Sequence, residues 1–380
     1  MRVLLVTNYA PPNQGGVEVV VDHLAKGYQA AGHTAVVSAL DLTGARGAGL
    51  PYRVEPMPGW NPLERFSVPV PLFNPITLWR RTAKLLRATD ALHVHGLLYP
   101  NVLVAMILAK RRGIPVVVTE HVGLVATGNR WIDRAQAVAF HLVVRHVAGR
   151  TARAVVVLNE RVYDEVARAL PDHVALVRID NGVDTDRFHP ATTSERFELR
   201  TRFGFARPTV LFAGRFARKK GLDRVLDAAR GGADEYDVVI CGRETERLTD
   251  LPPTVRVLGT VDHDHLGELY RAADVLLLPS EGEGFPLVIQ EAMASGLPVV
   301  VTPDAVPRTG PHVGVLTVAE PDGASLTAAI RALLADPGDA SARGRSVAVE
   351  DFSWSTAVER YLALLSPDAA TPATRAKEPT

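Results

Sequence analysis

The sequence predicts an α/β protein built from two doubly wound parallel-sheet domains. Its 380 residues are enough for two domains of ordinary size. Short Val/Ile/Leu runs recur along the chain, as they do in parallel strands covered on both faces. Stretches with helical periodicity separate many of these runs, and this alternation is typical of a doubly wound sheet. With 47% hydrophobic and 22% charged residues, most of the chain is globular rather than disordered, collagen-like or coiled coil.

The predicted elements form two similar sets. Strands are expected at residues 3–6, 35–38, 91–94, 116–118, 154–158 and 175–179, and then at 210–212, 237–240, 255–258, 275–278 and 299–301. Helical stretches between them include residues 17–31, 221–229 and 265–272. The pattern pauses before the strand at 210–212, so we assign residues 1–185 to the first domain and 186–352 to the second. A last helix is expected at 353–366, before a disordered tail at 367–380 rich in Pro, Ala and Thr.

Charge and cysteine content limit the function classes. The net charge is zero, which disfavours a general nucleic-acid binder. Residues 1–185 hold 20 basic and 14 acidic side chains, a net of +6, and residues 186–380 hold 22 and 28, a net of −6. The basic half suggests contact with an anionic membrane surface or a phosphorylated acceptor. The single cysteine, Cys241, excludes an internal disulfide and a cysteine-based zinc site, and it fits a reducing cytoplasm.

Two stretches of the first domain combine apolar and basic side chains. Residues 51–75 hold seven prolines and read as an ordered excursion, neither a helix nor a central strand, directly before a basic stretch at 80–87. Residues 130–153 carry five arginines among apolar residues such as Trp131, Ile132 and Val138. One interpretation is a packed loop and solvated helix faces; the other is a surface that faces an acceptor or lies on anionic lipid. The longest apolar run near here, 102–109, is too short to span a membrane.

The most specific motif is a pair of glutamates, Glu283 and Glu291, separated by seven residues. Glu283 lies in a glycine-rich loop after the strand at 275–278, and Glu291 lies in a helix that we expect to begin near Pro286. The N-terminus of such a helix is suited to a phosphate. A carboxylate can accept two hydrogen bonds from a vicinal diol, so both glutamates suit hydroxyl recognition. The alternative is that Glu283 caps the helix and Glu291 is solvated.

Two further stretches suit a diphosphate. Arg215 and Lys220 follow the strand at 210–212 around Gly214, and no Gly-Lys-Ser/Thr follows that would make a Walker loop. Gly15 and Gly16 lie between the first strand and first helix, where glycine lets backbone N–H groups approach a phosphate. The three-glycine dinucleotide pattern is absent, so NAD binding is disfavoured. Surface charges and a plain glycine turn are the alternatives.

Histidines and aspartates complete the candidate residues. His121 follows the strand at 116–118 and is well placed to hydrogen-bond sugar oxygens in a cleft, unless it is an ordinary loop histidine. We interpret His93 and His95 as facing opposite sides of their sheet, one of them packed in the core. The pairs Asp184/Asp186 and Asp262/Asp264 are no more frequent than chance predicts, so we expect no metal site in them, and Asp262 is expected to start a helix.

Taken together, these stretches resemble glycosyltransferase family 4, the retaining nucleotide-sugar transferases of the GT-B fold, in which two Rossmann-like domains face each other across a cleft. The resemblance runs nearly end to end. Further matches are Ile179-Asp-Asn-Gly-Val-Asp184, Leu269-Tyr-Arg-Ala-Ala-Asp274, Leu278-Pro-Ser280 and Asp351-Phe-Ser-Trp354. The last begins a helix that in this family crosses back to the N-terminal domain.

The resemblance implies a role for each candidate residue. Arg215 and Lys220 would hold the donor diphosphate, and Glu291 would bind the ribose hydroxyls. Glu283 would hold the transferred sugar and β-phosphate together with the backbone at Gly284, Phe285, Pro286 and Leu287. Gly15 and Gly16 would approach the diphosphate from the acceptor-side domain, and His121 would contact the sugar near its anomeric carbon.

The expected activity is retaining transfer from a UDP- or GDP-linked sugar, with no metal and no further cofactor. The first expectation for the acceptor is a lipid-linked or membrane-borne molecule of polysaccharide or glycolipid assembly, reached from the cytoplasmic face of the membrane. The alternative is a small soluble acceptor such as a secondary metabolite or thiol precursor. A nucleotide-sugar epimerase is a further alternative, which the intact glutamate motif disfavours. An inactive nucleotide-sugar binder is another, which the presence of every expected catalytic residue type disfavours.

Overall fold

The chain folds into two compact units, Met1–Asn181 together with the chain from Ala357 onward, and Gly182–Thr356. The computed structural model describes residues 1–9, 16–40, 49–62, 71–124, 129–216, 220–244, 248–280, 286–303, 306, 311 and 313–366. Each unit is built around a parallel sheet covered by helices, which confirms the predicted α/β fold class. Gly15, Glu283, Gly284, Phe285 and the predicted tail at 367–380 lie outside the described residues.

Within its described residues, the first unit contains nine strands. They are β1 (Arg2–Val6), β2 (Thr34–Leu40), β3 (Arg53–Met57), β4 (Gly59–Trp60), β5 (Leu72–Phe73), β6 (Ala91–His95), β7 (Val116–Glu120), β8 (Ala154–Val157) and β9 (Ala175–Arg178). Seven of them form one parallel sheet in the order β3-β2-β1-β6-β7-β8-β9. β4 and β5 form a separate antiparallel pair.

Helices connect these strands. They are α1 (Gly16–Ala30), α2 (Pro75–Leu85), α3 (Pro100–Arg111), α4 (Arg130–Leu142), α5 (Gly149–Thr151) and α6 (Glu160–Ala167), with a 3-10 turn at Leu86–Ala88 and a π-helix at Val143–Ala148. The main core cluster is formed largely by Val, Leu and Ala side chains on one face of the sheet, and the alternate strand residues that face the other way are buried as well. The central strands β6, β7 and β8 are buried at every position, as the Val-rich runs predict.

The proline-rich stretch 51–75 contains a strand that the sequence pattern missed. β3 pairs with β2 at the outer edge of the sheet, and Pro56 lies opposite Ala39. Proline is tolerated there because the missing N–H can face away from the ladder on an edge strand. The expectation that this stretch holds no central strand is correct for its described residues, and Arg53–Met57 is an edge strand that was not among the predicted strands.

The second unit repeats this architecture. Its strands are β10 (Thr209–Ala213), β11 (Asp237–Cys241), β12 (Val255–Gly259), β13 (Val275–Leu278), β14 (Val299–Val301) and β15 (Thr317–Val318). They form a parallel sheet in the order β12-β11-β10-β13-β14-β15. The helices are α7 (Thr193–Phe203), α8 (Leu222–Gly231), α9 (His263–Ala272), α10 (Leu287–Ala294), α11 (Gly323–Ala335) and α12 (Ala340–Glu350).

The edge strand β12 departs from the prediction that all strands are covered on both faces. Val257 and Leu258 are 37% and 36% exposed. β12 is the outermost strand of its sheet and has a paired neighbour on one side only. Its apolar residues therefore remain partly in solvent, a difference that a sequence run cannot reveal because an edge and a centre share the same composition.

Several helices begin at a side-chain cap that the sequence makes recognisable. Asn74, Asn159, Thr192, Asp262 and Asp322 each accept a hydrogen bond from the backbone N–H three residues further on. This satisfies one of the free donors of the first helical turn. The expectation that Asp262 starts the helix α9 is confirmed.

The last helix, α13 (Trp354–Leu365), extends into the first unit. Its Tyr361 is buried, and the Tyr361 hydroxyl accepts a hydrogen bond from Thr119 Oγ1 at 3.2 Å. On α1, a Cβ atom at Gly27 would lie 2.3 Å from Val358 Cγ2, so the glycine leaves room for α13 to approach. The residues that complete the N-terminal unit are thus the last in the described chain.

The two sheets share one topological property that positions the site. In each, the first strand lies in the middle, and the chain passes first to one side and later to the other, so that β1 lies between β2 and β6, and β10 between β11 and β13. Ligands of open α/β sheets bind beyond the carboxyl ends of the strands at such a switch point. The loops after β1 and β6 and those after β10 and β13 are therefore the first places to look.

Candidate active site

The loop after β10 carries the first predicted cation of the second unit. Arg215 is exposed, whereas the neighbouring Phe216 is fully buried and donates its backbone N–H to Arg243 O at 2.9 Å. The buried Phe216 anchors the loop, and the side chain of Arg215 extends to solvent at the carboxyl edge of the sheet. Residues 217–219 lie outside the described chain, and Lys220, directly before α8, is half-buried.

Two glycines allow the loops at this edge to approach one another. Gly221 precedes α8 with φ +71°, and a Cβ there would lie 2.0 Å from Pro279 O. Gly242, after β11, has φ +140°, and a Cβ there would lie 1.8 Å from Gly214 O. A side chain at either position would push these loops apart. The loops after β10, β11 and β13 are therefore packed backbone against backbone at Gly214, Gly221, Gly242 and Pro279.

The described part of the glutamate motif starts a helix where the sequence predicts one. Pro286 precedes α10, which begins at Leu287, and Ile289 N donates to Pro286 O at 3.0 Å. Glu283, Gly284 and Phe285 are outside the described residues, so their predicted contacts remain predictions.

Glu291 is a buried carboxylate. It lies inside α10 with 8% of its surface exposed, so it is not the solvated helix residue of the alternative interpretation. The Tyr270 hydroxyl of α9 donates to Glu291 Oε2 at 2.9 Å. Burial raises the pKa of Glu291 to about 7, although the Tyr270 hydrogen bond and the charge of Arg187 act in the opposite direction. This carboxylate is held ready to accept hydrogen bonds.

The charge of Glu291 raises the pKa values of two neighbouring groups, Cys241 and Tyr270. Cys241 lies at the carboxyl end of β11, and burial together with Glu291 raises the pKa of the Cys241 thiol to about 12. The pKa of Tyr270 is raised well above its ordinary value by burial and by Glu291. Cys241 and Tyr270 are therefore neutral at physiological pH, and Glu291 is the member of the three that changes its charge near neutral pH.

In the first unit, a buried glutamate shapes the loop that carries His121. Glu120 ends β7, and its carboxylate accepts hydrogen bonds from the backbone N–H groups of Leu97, Val122 and Gly123 at 2.9, 3.2 and 3.1 Å. Burial raises the pKa of Glu120, and these backbone bonds oppose the rise. The loops after β6 and β7 are thus tied together at the switch-point side of the sheet, with His121 half-buried between Glu120 and Val122.

Three histidines are brought together at this edge. His121 Nε2 lies 3.0 Å from His95 Nδ1, and the two rings meet edge to edge, inclined by 25° with their centroids 5.3 Å apart. The rings of His93 and His95 are 4.3 Å apart. The interpretation that His93 and His95 face opposite sides is therefore wrong: residues two apart on a strand share a face.

The deepest of these rings, His93, has two hydrogen-bond partners. Its Nδ1 lies 3.0 Å from the Tyr28 hydroxyl of α1, and its Nε2 lies 2.8 Å from Thr119 Oγ1 of β7. Its ring also packs against Tyr361 at 4.7 Å. His93 is thus the packed core residue that was expected, held by three elements of the same unit.

Burial keeps all three imidazoles neutral. It lowers the pKa of His93 to about 3 and that of His121 to about 4, and it lowers the pKa of His95 well below the ordinary value. At neutral pH each ring therefore acts through one N–H donor and one lone pair rather than through a positive charge.

The start of α1 leaves space for a ligand. Gly16, the first residue of α1, is exposed, and a Cβ there would have no heavy atom within 4 Å. Its neighbour Gly15 lies outside the described residues. The open space at Gly16 suits the predicted approach of a phosphate to backbone N–H groups.

The aspartate pairs have local structural partners. Asp184 Oδ1 accepts from the backbone N–H groups of Asp186 and Arg187 at 3.2 and 3.0 Å, and Asp262 caps α9. Within the part of the chain that the structure describes, no three His, Cys, Asp or Glu side chains gather closely enough to hold a metal ion.

One helix of the first unit exposes apolar side chains between arginines. The apolar face of α4, which comprises Trp131, Ile132, Val138 and Leu142, is 71%, 53%, 53% and 49% exposed. Exposed Arg130 and Arg134 lie on the same helix. Among the described residues, no helix has the length and apolar character needed to cross a bilayer.

Comparison with known proteins agrees with this fold. Residues 14–187 match the family model described as Glycosyltransferase Family 4, and residues 207–336 match that of Glycosyl transferases group 1. The chain is 30% identical over 328 residues to D-inositol 3-phosphate glycosyltransferase 1 of Catenulispora acidiphila, covering 76% of each chain. It is 30% identical over 319 residues to the GDP-mannose-dependent alpha-mannosyltransferase of Mycobacterium tuberculosis, covering 80% of this chain and 79% of that one.

A solved structure extends the likeness to the whole architecture. The crystal structure of Anabaena HepE in complex with UDP superposes with a TM-score of 0.74 at 18% identity, covering 96% of this chain and 99% of the other. The fold and these comparisons define a glycosyltransferase of the GT-B fold. The chain belongs to glycosyltransferase family 4, which confirms the resemblance.

Two contacts, one in each unit, were not predicted from the sequence. His95 contacts His121, and the signal that could have found it is its two-residue spacing from His93 on a strand. Tyr270 donates to Glu291 across α9 and α10. No spacing within one element reveals a contact of this kind, because it depends on how two helices pack.

Proposed function

We propose that this glycosyltransferase transfers a sugar from a nucleotide diphosphate sugar to a membrane-borne acceptor, with retention of the anomeric configuration. The observation that supports the donor class is the buried Glu291, held by Tyr270 on a helix that starts beside the switch point of the second sheet. A buried carboxylate with accepting capacity suits the vicinal hydroxyls of a ribose. The names of related proteins, which include a GDP-mannose-dependent enzyme and a structure with UDP, agree with a nucleoside diphosphate donor.

The charge arrangement supports the roles of the two cations. Arg215 and Lys220 lie on the loop after β10, and α10 starts in the loop after the adjacent strand β13. A diphosphate between these loops would meet two positive side chains and the free N–H groups at the start of α10. The same groups would stabilise the negative charge that develops on the leaving diphosphate, so that no metal ion is needed.

At the sugar, the proposed groups are Glu283, with the backbone from Gly284 to Leu287, and His121. Glu283 would hold sugar hydroxyls and the β-phosphate side. His121 would contact the sugar close to its anomeric carbon as a neutral imidazole, in agreement with its lowered pKa. Attack on the same face that the leaving group departs from, through an oxocarbenium-like state, would retain the configuration.

The acceptor side is the basic first unit. The apolar face of α4, flanked by Arg130 and Arg134, has the composition of a helix that lies on anionic lipid. We therefore propose peripheral contact with the cytoplasmic face of a membrane and an acceptor that is lipid-linked. Such an arrangement would bring the acceptor to the protein by diffusion in two dimensions.

A small soluble acceptor is the second candidate, and one observation favours it. The relative of Catenulispora acidiphila is named for inositol 3-phosphate, a small anionic polyol, and it matches over three quarters of both chains. A basic unit also suits a phosphorylated acceptor. Vesicle binding separates the two candidates, because a soluble acceptor requires none.

The donor proposal is tested by thermal stabilisation with UDP, GDP, ADP and their sugar conjugates, without added metal. A ligand that binds the native state raises the unfolding temperature in proportion to its occupancy. We expect a clear rise with one base, and a smaller rise in a Lys220→Ala variant, in which the diphosphate loses one cation. If none of the nucleotides shifts the unfolding temperature of the wild type, the donor site proposed here is wrong.

A further inference from the structure

The first unit contains a column of four rings that ends at His121. The ring centroids of Tyr361 of α13 and His93 are 4.7 Å apart, and those of His93 and His95 are 4.3 Å apart. The His95 ring then meets the His121 ring edge to edge through their nitrogens, with centroids 5.3 Å apart. All four rings lie in one unit, and His93 and His95 are fully buried in it. The orientation of His121 is therefore set by the rings of His95 and His93, which lie deeper in the core of the unit.

The proton position is fixed at the inner end of this column. Thr119 Oγ1 donates its only proton to the Tyr361 hydroxyl, so its lone pairs must accept from His93 Nε2. His93 accordingly carries its proton on Nε2, and its Nδ1 accepts from the Tyr28 hydroxyl. This neutral form satisfies both ring nitrogens.

At the outer end, one nitrogen decides between two arrangements. His95 Nε2 is buried and has no hydrogen-bond partner among the described residues, while His95 Nδ1 lies 3.0 Å from His121 Nε2. If Nε2 of His95 carried the proton, a buried N–H would be left without an acceptor. A buried N–H donor without an acceptor is rarer in proteins than a buried acceptor without a donor, and it costs the free energy of desolvating the N–H group. A proton on Nδ1 of His95 instead has an acceptor, His121 Nε2.

We infer that His95 is a positioning residue that donates from Nδ1 to His121 Nε2 and thereby fixes the proton of His121 on Nδ1. His121 then offers an N–H donor, and it has no free lone pair with which to remove a proton from the acceptor. This inference rests on the proposed function for the statement that the N–H meets the transferred sugar. The tautomer itself does not depend on that function.

The tautomer can be measured directly in the full-length wild type. Selective 15N-histidine labelling distinguishes protonated from unprotonated ring nitrogens through their long-range proton correlations, and the His121 signals are assigned by their loss in a His121→Gln variant. We expect His121 in the Nδ1–H form and His93 in the Nε2–H form at pH 7. A proton on Nε2 of His121, or a charged His121 ring at this pH, would overturn the inference.

Two substitutions of His95 then separate positioning from packing. In His95→Asn the amide nitrogen takes the place of Nδ1, so we expect the Nδ1–H form of His121 and kcat within a few-fold of the wild type. In His95→Leu the donor is lost, and we expect His121 to shift toward Nε2–H, with kcat lowered at least tenfold and the KM for the donor nearly unchanged. Retention of the Nδ1–H form in His95→Leu contradicts the role of His95.

The two proposals fail in different ways. If His95→Leu moves the proton of His121 but leaves transfer unaffected, the positioning by His95 is supported and the role of His121 in transfer is refuted. If His95→Leu does not fold, as judged by circular dichroism, the wild-type tautomer and the His95→Asn variant still decide the question.

Discussion

At the scale of single residues, Glu291 is the group whose chemistry the structure defines most closely. It lies in α10 with its carboxylate hydrogen-bonded by Tyr270, and its pKa of about 7 places it between its two protonation states at neutral pH. Only the ionised carboxylate accepts hydrogen bonds from two hydroxyls at once without donating one itself. Binding of a ribose diol should therefore draw Glu291 into the ionised form.

This protonation equilibrium gives a pH dependence with a definite sign. Because burial raises the pKa of Glu291, the free protein holds it largely protonated at pH 6 and largely ionised at pH 8. We expect the affinity for the nucleotide sugar to rise by up to about tenfold over this interval, since one pKa unit corresponds to a factor of ten. Calorimetric titration checks this with a nucleotide sugar, whose phosphodiesters do not titrate there. Glu291→Gln is the control, and an equal pH dependence in that variant would count against Glu291.

The two glutamates of the motif should be separable by substitution. Glu291→Ala should weaken nucleotide binding by roughly 1.5–3 kcal/mol, the usual effect of losing a hydrogen bond to a charged group. Glu283→Ala should abolish transfer while leaving the affinity for the free nucleoside diphosphate nearly unchanged, because its proposed partner is the sugar. Binding and transfer assays on both variants check this. Equal losses of nucleotide affinity in both would refute the division of roles.

The residue scale also shows where sequence reasoning was reliable. The helix start at Pro286 and the cap at Asp262 follow from local rules and were predicted. The contact of Tyr270 with Glu291 and that of His95 with His121 were not, because each joins side chains from two elements whose packing no local rule specifies. The relative facing of His93 and His95 was predictable, since a two-residue spacing on a strand fixes it.

At the scale of elements, the start of α8 depends on a glycine. At Gly221, φ is +71° and a side chain would meet Pro279 O, whereas Gly259 in the same unit has φ +72° and open space. Both Gly221→Ala and Gly259→Ala should cost about 1–2 kcal/mol for the left-handed backbone. Gly221→Ala should cost clearly more because of the clash. Chemical denaturation compares the two directly, and equal costs would show that the loops do not pack as closely as described.

The apolar face of α4 leads to a prediction about membranes. Trp131→Ala should weaken binding to vesicles that contain anionic lipid by roughly tenfold, given about 1.5–3 kcal/mol for burying a large apolar side chain. Phe197→Ala is a matched control, since Phe197 is 72% exposed on α7 of the acidic second unit. Co-sedimentation with anionic and neutral vesicles checks the effect. If the wild-type protein binds neither kind of vesicle, the soluble acceptor is favoured.

Among the elements, strands of the sheet interiors were predicted best. Val275–Leu278 and Val299–Val301 match the predicted ranges residue for residue, because a central strand must be apolar on both faces. The edge strand Arg53–Met57 was missed, since it contains Pro56 and needs burial on one side only. Composition therefore identifies the apolar strands, including the edge strands β9 and β12, and misses an edge strand that proline interrupts.

At the scale of the whole molecule, the helix α13 joins the end of the described chain to the first unit. Tyr361 is buried there, beside Thr119 and His93. Tyr361→Ala should destabilise the first unit by about 3–5 kcal/mol, as is typical of a large aromatic residue removed from a core. Differential scanning calorimetry should show the loss, and Glu359→Ala, exposed on the same helix, should leave the transition almost unchanged. A similar effect of both variants would mean that α13 is not part of that core.

The position of α13 also has a consequence for biosynthesis. Domains of a growing polypeptide ordinarily fold in the order in which they leave the ribosome, the N-terminal one first. Here the N-terminal unit lacks Tyr361 and Val358 until the whole of the second unit has been translated. The first unit is therefore synthesised first but completes its fold last. During elongation, the surface of α1 at Gly27 that α13 later covers stays exposed. In a nascent chain stalled before α13, proteases should cleave the first unit more readily than the second, and chaperones should bind the first unit more strongly.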